Sequence, residues 1–258
     1  MTRGKTITLY ATVALFITYL AVSAGFVTAK QQSLVCNSMQ ITVCDSMVNR
    51  FISCDRIEKI ITDDVGKIIG EYVFRINVHQ MEQLLNKRSV IFNTEVFSSI
   101  DGVLHVDVYQ RRPIVRVQTS AGGFYIDETG YIFPLSASVY TSFVPILTGN
   151  APSKLTHDFR GIIPQKENFL QQLYDFASFL DRNKFWRSQI VQIHVNSASD
   201  VLLLPRVGHE KIHIGALTDY EYKLDKLNVF YHKIRAAGEE IYSDIDLRYG
   251  NQIICKRK

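Results

Sequence analysis

Hydrophobic and polar residues follow two different patterns along the chain. Residues 7–29 form one uncharged, mostly apolar run, which matches the ~20 apolar residues that a helix needs to cross a bilayer. From residue 34 onwards, apolar positions alternate with polar ones or recur at helical spacing, as they do in folded domains. The pattern predicts a single N-terminal transmembrane helix over residues 7–29, followed by an α+β ectodomain.

The charges beside the apolar run predict its orientation. Arg3 and Lys5 precede the run, whereas only Lys30 follows it directly. Because basic residues are retained on the cytoplasmic side, residues 1–6 are expected to be a cytoplasmic tail. A cleaved signal peptide is the alternative, with Val27-Thr28-Ala29 as its cleavage site, although the run is longer than the ~7–15 apolar residues of such a peptide.

The first folded region is expected to have the order strand, helix, helix, strand, strand. Ser53 and Asn77 are suited to cap the two helices, and Asp101-Gly102 is typical of a hairpin turn. Pro113 interrupts the last strand and predicts an edge or a bulge there. Alternating apolar positions predict three strands, Met39–Cys44, Val90–Phe97 and Val103–Val117. Two helices over one face of this sheet make a two-layer domain, assigned to residues 34–118.

The second folded region, residues 119–258, is expected to be an α+β domain with a largely antiparallel sheet and two flanking helices. Apolar residues within Gln165–Trp186 recur at helical spacing, and Thr218 with Glu221 forms a capping box for the other helix. Gly250-Asn251 predicts a turn that joins the last two strands. The final strand is expected over Gln252–Lys256.

Composition narrows the possible functions. Of the 258 residues, 47% are hydrophobic and 21% are charged, which excludes wholesale disorder. The formal charge is +4, from 29 basic and 25 acidic residues, so nucleic-acid binding is not indicated. The four cysteines form no C-x-x-C pair, which disfavours a zinc ribbon or a thioredoxin-type site, and their pairing stays open.

One motif points to metal chemistry. His209, Glu210 and His213 match the H-E-x-x-H pattern, in which two histidines on one helix face bind zinc and the glutamate acts as a base. Between Gly208 and Gly215, however, the residues alternate as in a strand, where positions four apart lie ~13 Å from one another. We therefore expect no metal, cofactor or catalytic site, with a periplasmic metal-dependent hydrolase as the alternative function.

Short motifs in the middle and at the end of the chain carry a family resemblance. They are Tyr109–Val117 (YQRRPIVRV), Gly123–Asp127 (GFYID), Gly130–Leu135 (GYIFPL), Val144–Gly149 (VPILTG) and Ile245–Tyr249 (IDLRY). Together with the position of the apolar run, they resemble the FtsQ/DivIB family of bacterial cell-division proteins. The Q-R-R-P sequence, Phe185-Trp186 and the terminal Asn-Gln-Ile-Ile-Cys are most similar to members from the Bacteroidetes.

The resemblance implies an architecture of four parts: a cytoplasmic tail at 1–6, a transmembrane helix at 7–29, a POTRA domain at 34–118 and an FtsQ-type β domain at 119–258. The order strand, helix, helix, strand, strand fits a POTRA domain independently. The implied location is the inner membrane at the division septum, with a single pass, a cytoplasmic N-terminus and the bulk of the chain in the periplasm.

The resemblance also implies a role. Family members are non-enzymatic scaffolds that use no cofactor and bind FtsB- and FtsL-like divisome proteins, in a complex that controls septal peptidoglycan synthesis. Further divisome proteins are expected at the POTRA domain. A POTRA protein of outer-membrane assembly is a second alternative function.

Two groups of residues are expected to be functional. The resemblance places partner binding at the final strand, because a strand at a sheet edge can pair with a segment of another protein. The expected partner-binding residues are Arg248, Tyr249, Asn251, Ile253, Ile254 and Cys255. The alternative is that the two isoleucines only close the core. Arg111, Arg112 and Pro113 are expected to form the corner between the two domains, the alternative being a solvated strand end.

Overall fold

The structure is a computed structural model, and it describes residues 12–23, 33–47, 49–119, 122–135, 140–237 and 242–258. By its internal contacts the chain divides into two units, Met1–Gln110 and Arg111–Lys258. The division therefore falls before Pro113, whereas the sequence analysis drew it after residue 118.

Only part of the expected anchor lies within the described residues. Residues 12–23 are helical (α1). The rest of the expected anchor, 7–11 and 24–29, and the expected tail, 1–6, lie outside the described residues. Among the residues that the structure describes, no helix combines the length and the apolar character that a membrane crossing requires.

The first unit has the predicted order of elements. These are β1 (Ser38–Val43), α2 (Cys54–Val65), a 3₁₀ turn (Val73–Arg75), α3 (Val78–Asn86), β2 (Ile91–Ser98) and β3 (Val103–Gln110). The strands form a sheet in the order β1-β3-β2, with β1 parallel and β2 antiparallel to β3. The prediction of two helices and three strands in this region is confirmed.

The local sequence explains where the two helices begin and which side they bury. Ser53 accepts a hydrogen bond from the backbone N–H of Arg56, and Asn77 accepts one from Gln80, so both predicted caps are formed. Each helix turns one apolar stripe inwards. The stripes pack with β3 in one core, whose fully buried side chains include Ile57, Ile61, Met81, Leu85, Leu104, Val106 and Val108.

The single strand expected over Val103–Val117 is two strands, and Pro113 explains the break. Strand β3 ends at Gln110, and β4 (Pro113–Thr119) begins at the proline, which has no N–H to continue a ladder. The side chain of Gln110 fixes the end of β3 to the segment before α2. It accepts a hydrogen bond from the backbone N–H of Phe51 at 2.7 Å and donates one to the backbone carbonyl of Asn49 at 2.8 Å.

The second unit is a ten-stranded sheet with helices packed on it. After β4 come β5 (Gly122–Asp127), β6 (Tyr131–Pro134), β7 (Ile146–Gly149), β8 (Gly161–Ile162), α4 (Asn168–Arg182), α5 (Lys184–Gln189), β9 (Ile190–Ser197), β10 (Asp200–Pro205), β11 (Lys211–Gly215), α6 (Tyr220–Ala237), β12 (Tyr242–Asp246) and β13 (Ile254–Arg257). The strand order is β13-β12-β11-β10-β9-β7-β4-β5-β6-β8.

The sheet is mixed, although most neighbouring strands in the described part run antiparallel as predicted. The exceptions are the parallel pairs β4–β7, β7–β9 and β11–β12. Parallel neighbours need a long connection, and the chain supplies one in α4 with α5 and another in α6. Six of the nine neighbouring pairs among the described strands are antiparallel, so the sheet is largely antiparallel as predicted, with three parallel pairs that were not predicted.

The two predicted flanking helices are α4 and α6. Their inner faces are buried at helical spacing, with Leu170, Leu173, Phe176 and Leu180 on α4 and Leu224, Leu227 and Tyr231 on α6. They share one core with the sheet, to which each fully buried aliphatic side chain contributes about 1.5–3 kcal/mol. The short helix α5 was not predicted separately. It follows Asn183, whose side chain caps it, and it buries Trp186.

Candidate functional site

Strand β13 is the last strand of the ten-stranded sheet, and its outer side is open. Within the described residues it pairs only with β12, with Asp244 opposite Lys256 and Asp246 opposite Ile254. The backbone N–H and C=O groups on its other side therefore have no strand partner among the described residues. Ile254 is 46% exposed on this strand. The topology agrees with the expectation of a sheet edge at the end of the chain.

The edge strand is shorter than the sequence predicted. It starts at Ile254 rather than Gln252, so Tyr249, Asn251 and Ile253 lie in the terminal connection, residues 247–253, between β12 and β13. Ile253 and Cys255 pack against the core. The core-closing alternative, which named Ile253 and Ile254, therefore fits Ile253 but not Ile254, which is exposed.

Arg248 already has an intramolecular partner. Its guanidinium donates to the Asp246 carboxylate through Nε at 3.0 Å and Nη2 at 2.6 Å, and its backbone N–H donates to the same carboxylate. These hydrogen bonds hold the pKa of Asp246 below its usual value. Arg248 is nevertheless 47% exposed, so its charge faces solvent beside the edge strand.

Two side chains of helix α6 form hydrogen bonds with the backbone of the terminal connection. The ammonium group of Lys226 donates to the backbone carbonyls of Tyr249 at 2.5 Å, Gly250 at 3.1 Å and Gln252 at 3.2 Å. The hydroxyl of Tyr222 donates to the carbonyl of Gly250 at 2.9 Å. Burial among these groups lowers the pKa of Lys226. The two side chains therefore fix the path by which the chain reaches β13.

An open groove lies between α6 and the terminal connection. It has a volume of about 420 Å³ and is lined by Tyr222, Asp225, Lys226, Val229, Phe230, Lys233, Asn251, Gln252 and Ile253. Tyr222 and Val229 are both more than half exposed in it. Apolar side chains with a charged rim are typical of protein–protein contacts.

Edge and groove together are suited to bind an extended segment. Only every second residue of an antiparallel edge directs its N–H and C=O outwards, and β13 has four residues. Each backbone hydrogen bond adds about 1 kcal/mol net, so the strand alone gives a weak contact. The adjoining groove offers the apolar area that such a contact lacks.

The H-E-x-x-H segment is not helical. His213 lies on β11, as predicted, and its Nε2 is 3.2 Å from the carboxylate of Asp244 on the neighbouring strand. Glu210 accepts a hydrogen bond from the hydroxyl of Tyr231 at 2.8 Å. No group of three or more His, Cys, Asp or Glu side chains among the described residues is placed to hold a metal ion.

The side chain of Arg111 makes its contacts with residues of the second unit. Its guanidinium donates to Asp127 at 2.8 Å and lies 3.6 Å from the centre of the Tyr131 ring. Asp127 is 1% exposed, and its other oxygen accepts from Thr129 and from the backbone N–H of Tyr131. This buried pair ties the start of β4 to the turn between β5 and β6.

Arg112 ties the same segment to a helix. It binds the carboxylate of Asp181 on α4 with two hydrogen bonds, at 3.1 and 2.8 Å, and donates to Glu128 at 2.8 Å. The hydrogen bonds to Asp181, and secondarily to Glu128, raise the pKa of Arg112. Pro113 is buried opposite Asp127. A solvated strand end does not describe these three residues, since their contacts organise the second unit.

Sequence reasoning missed three residues of the candidate site, namely Tyr222, Lys226 and Asp246. A signal was present for each of them. Tyr222 and Lys226 are four apart on one helix face, and Asp246 is two residues from Arg248, a spacing that puts both on one side of an extended chain. The spacing gives no information about which carbonyl groups come within reach of Lys226.

Comparison with known proteins agrees with this two-unit architecture. A model of the POTRA-like domain matches residues 34–109, and a model described as FtsQ/DivIB, C-terminal related, matches residues 112–256. The boundary between the matches coincides with the division between Gln110 and Arg111. No curated protein matches the chain. Because the second match covers more than half of the residues, the chain belongs to the FtsQ/DivIB family.

Proposed function

We propose that the protein is a scaffold of the bacterial cell-division machinery that binds FtsB- and FtsL-like proteins in the periplasm. Membership of the FtsQ/DivIB family supports the division role, and both matched domains belong to non-catalytic scaffold families. The observation that carries the binding proposal is the open edge of β13 beside the groove of α6. A partner strand that adds to this edge extends the ten-stranded sheet by one strand.

The residues around the edge have separate roles in this proposal. Ile254 offers an exposed apolar contact on the strand itself, and Tyr249 in the terminal connection is 46% exposed. The ion pair with Asp246 uses Nε and Nη2 of Arg248, so its Nη1 is available to a carboxylate of the partner. Tyr222 and Val229 receive apolar side chains that follow or precede the added strand.

The location is part of the same proposal. Residues 7–29 anchor the chain in the inner membrane, and both folded units lie in the periplasm at the septum. Held there, the scaffold recruits its partners and thereby influences septal peptidoglycan synthesis. Depletion of the protein is expected to give filamentous cells with unfinished septa, and cells that divide normally after depletion contradict the division role.

The binding mode is tested with two neighbouring proline substitutions, Ile254→Pro and Cys255→Pro. Successive residues of an antiparallel strand direct their N–H groups to opposite sides, so one substitution removes a donor to β12 and the other removes a donor to the partner. Affinity is measured by titrating the full chain with the periplasmic segment of the FtsB-like protein. Hydrogen exchange of β12 shows which variant keeps the internal pairing.

We expect the variant that keeps the internal pairing to lose partner binding. The matched control is Ile254→Val, which keeps the backbone donor and most of the side chain. If the variant with intact β12 protection binds the partner as tightly as the control does, the partner does not add a strand at β13.

A further inference from the structure

The first unit carries an exposed aromatic turn, residues 69–75, between α2 and α3. Within it, Ile69, Tyr72 and Phe74 are 48%, 42% and 59% exposed. Tyr72 and Phe74 lie with their ring centres 5.7 Å apart, and the guanidinium of Arg75 lies 5.4 Å from one ring and 5.6 Å from the other. Clustered exposed apolar side chains of this kind mark a contact surface in a small domain.

Backbone hydrogen bonds fix the aromatic turn to the beginning of the folded unit. The N–H of Val73 donates to the carbonyl of Leu34 at 2.9 Å, and the N–H of Cys36 donates to the carbonyl of Glu71 at 2.8 Å. The N–H of Gly70 donates in turn to the carbonyl of Cys36 at 2.8 Å. The position of the aromatic turn is therefore fixed relative to residues 34–36.

Residues 34–36 lie a short distance after the apolar N-terminal run. Four residues, 30–33, separate the end of that run at Ala29 from Leu34. From Ala29 to Leu34 the chain makes five Cα–Cα steps, which span at most roughly 18 Å when fully extended. If residues 7–29 cross the bilayer, as the proposed function requires, Leu34 lies within this distance of the point where the chain leaves the membrane, and the aromatic turn is hydrogen-bonded beside it.

The chemistry of the turn suits the surface of a bilayer. Tyrosine and other amphipathic rings concentrate at the level of the lipid headgroups, and arginine is attracted to lipid phosphates. Within the aromatic turn the charges of Glu71 and Arg75 balance, and Lys67, just before the turn, adds one positive charge that can meet a lipid phosphate. Because the anchor keeps the turn close to the bilayer, its effective concentration there is in the millimolar range, and a weak affinity is sufficient.

We propose that the aromatic turn contacts the headgroup region of the periplasmic leaflet and thereby sets the orientation of the first unit against the membrane. The occupant of this surface is the lipid bilayer itself. The proposal rests on the membrane anchor of the proposed function, but it assigns a second, peripheral membrane contact to the folded unit.

The test compares two tryptophan variants of the full chain in lipid vesicles. Phe74→Trp places a reporter on the aromatic turn, and Phe97→Trp places a matched reporter on β2, where Phe97 is 48% exposed in the same unit. The native Trp186 is buried and common to both variants. The vesicles contain phosphatidylcholine and phosphatidylglycerol whose acyl chains carry bromine close to the headgroups, which quenches nearby tryptophan.

We expect the fluorescence of Phe74→Trp to shift to shorter wavelength and to be quenched roughly twice as strongly as that of Phe97→Trp. Equal quenching in protein that floats with the vesicles overturns the lipid contact but leaves the anchor intact. A protein partner, which these vesicles lack, is then the remaining candidate for binding to this surface. A chain that fails to float with the vesicles overturns the anchor and, with it, this proposal.

Discussion

Two arginine–aspartate pairs lie near the two ends of the second unit, and they differ in burial. Arg111 donates to Asp127 at 2.8 Å, and their side chains are 13% and 1% exposed. Arg248 donates to Asp246 at 2.6 Å, and their side chains are 47% and 16% exposed. Both pairs join an arginine to an aspartate of the same unit with good hydrogen-bond geometry.

The difference in burial predicts a difference in role. A charge that loses its partner in the interior stays desolvated and unpaired, so breaking a buried pair costs about 3–5 kcal/mol. An exposed pair contributes about 0–1 kcal/mol, because water can replace either partner. We therefore expect the Arg111–Asp127 pair to contribute to the stability of the fold. Arg248, in contrast, is expected to be able to replace the Asp246 carboxylate with a carboxylate of a partner protein.

The largest expected effect is that of Arg111→Ala. This change leaves the buried carboxylate of Asp127 without its cation and removes the contact with the Tyr131 ring, so the free energy of unfolding should fall by about 3 kcal/mol. The measurement is urea denaturation of the full chain, followed by Trp186 fluorescence, which reports on the second unit.

The matched control for that variant is Arg187→Ala. Arg187 is 62% exposed and lies 3.9 Å from Asp181, so its removal should change the unfolding free energy by less than about 0.5 kcal/mol. Equal losses in the two variants contradict the distinction by burial. Septal recruitment of Arg111→Ala should fall only as far as the folded fraction falls, in contrast to a role as a partner contact.

A smaller effect is expected for Lys226→Met, which keeps the aliphatic stem and removes the ammonium group. The carbonyls of Tyr249, Gly250 and Gln252 lose a charged donor, which should lower stability by about 1–2 kcal/mol. Hydrogen exchange of the terminal connection and of β13 should accelerate. Lys233→Met is the control in the same groove. If hydrogen exchange accelerates equally in both variants, Lys226 does not specifically stabilise the terminal connection.

Arg248→Gln should change stability by less than about 1 kcal/mol, because the side chain of Arg248 is 47% exposed to solvent. Binding of the FtsB-like segment, measured by calorimetry, should nevertheless weaken, and more so at low salt, where exposed charges are screened less. A loss of stability as large as that of Arg111→Ala contradicts a surface role for Arg248. Unchanged affinity in the folded variant excludes Arg248 from the interface.

The smallest expected effect is the loss of stability at the β13 edge when the pH is lowered. Hydrogen bonds from Arg248 hold the pKa of Asp246 low, and hydrogen bonds from Ser243 and His213 do the same for Asp244. A carboxyl with a lowered pKa stabilises the fold above its unfolded pKa of about 3.9, and this contribution is lost as pH falls further. Protection of β13 should therefore be constant from about pH 7 to 5 and decline below about pH 4. A variant with Asp246→Asn should show a shallower decline.

Local sequence signals were sufficient for much of the fold. The caps at Ser53 and Asn77 and the apolar stripes of α4 and α6 depend on residues that are close in sequence, and the structure contains them where predicted. Pro113 was recognised as an interruption because the missing N–H is a property of the residue itself. The corner between the two domains was expected at Arg111, Arg112 and Pro113, although the domain boundary was drawn after residue 118 and the division falls between Gln110 and Arg111.

The sequence by itself determined the element types, the two-domain order and the candidate edge, because periodicity, caps and turns act over a few residues. Only the tertiary structure decided what the charged residues do. Arg112 meets Asp181 on α4 although 69 positions separate them, and Lys226 reaches the terminal connection from another element. Such contacts depend on the packing of distant segments around a common core, and that packing decides which charges are buried and which stay at the surface.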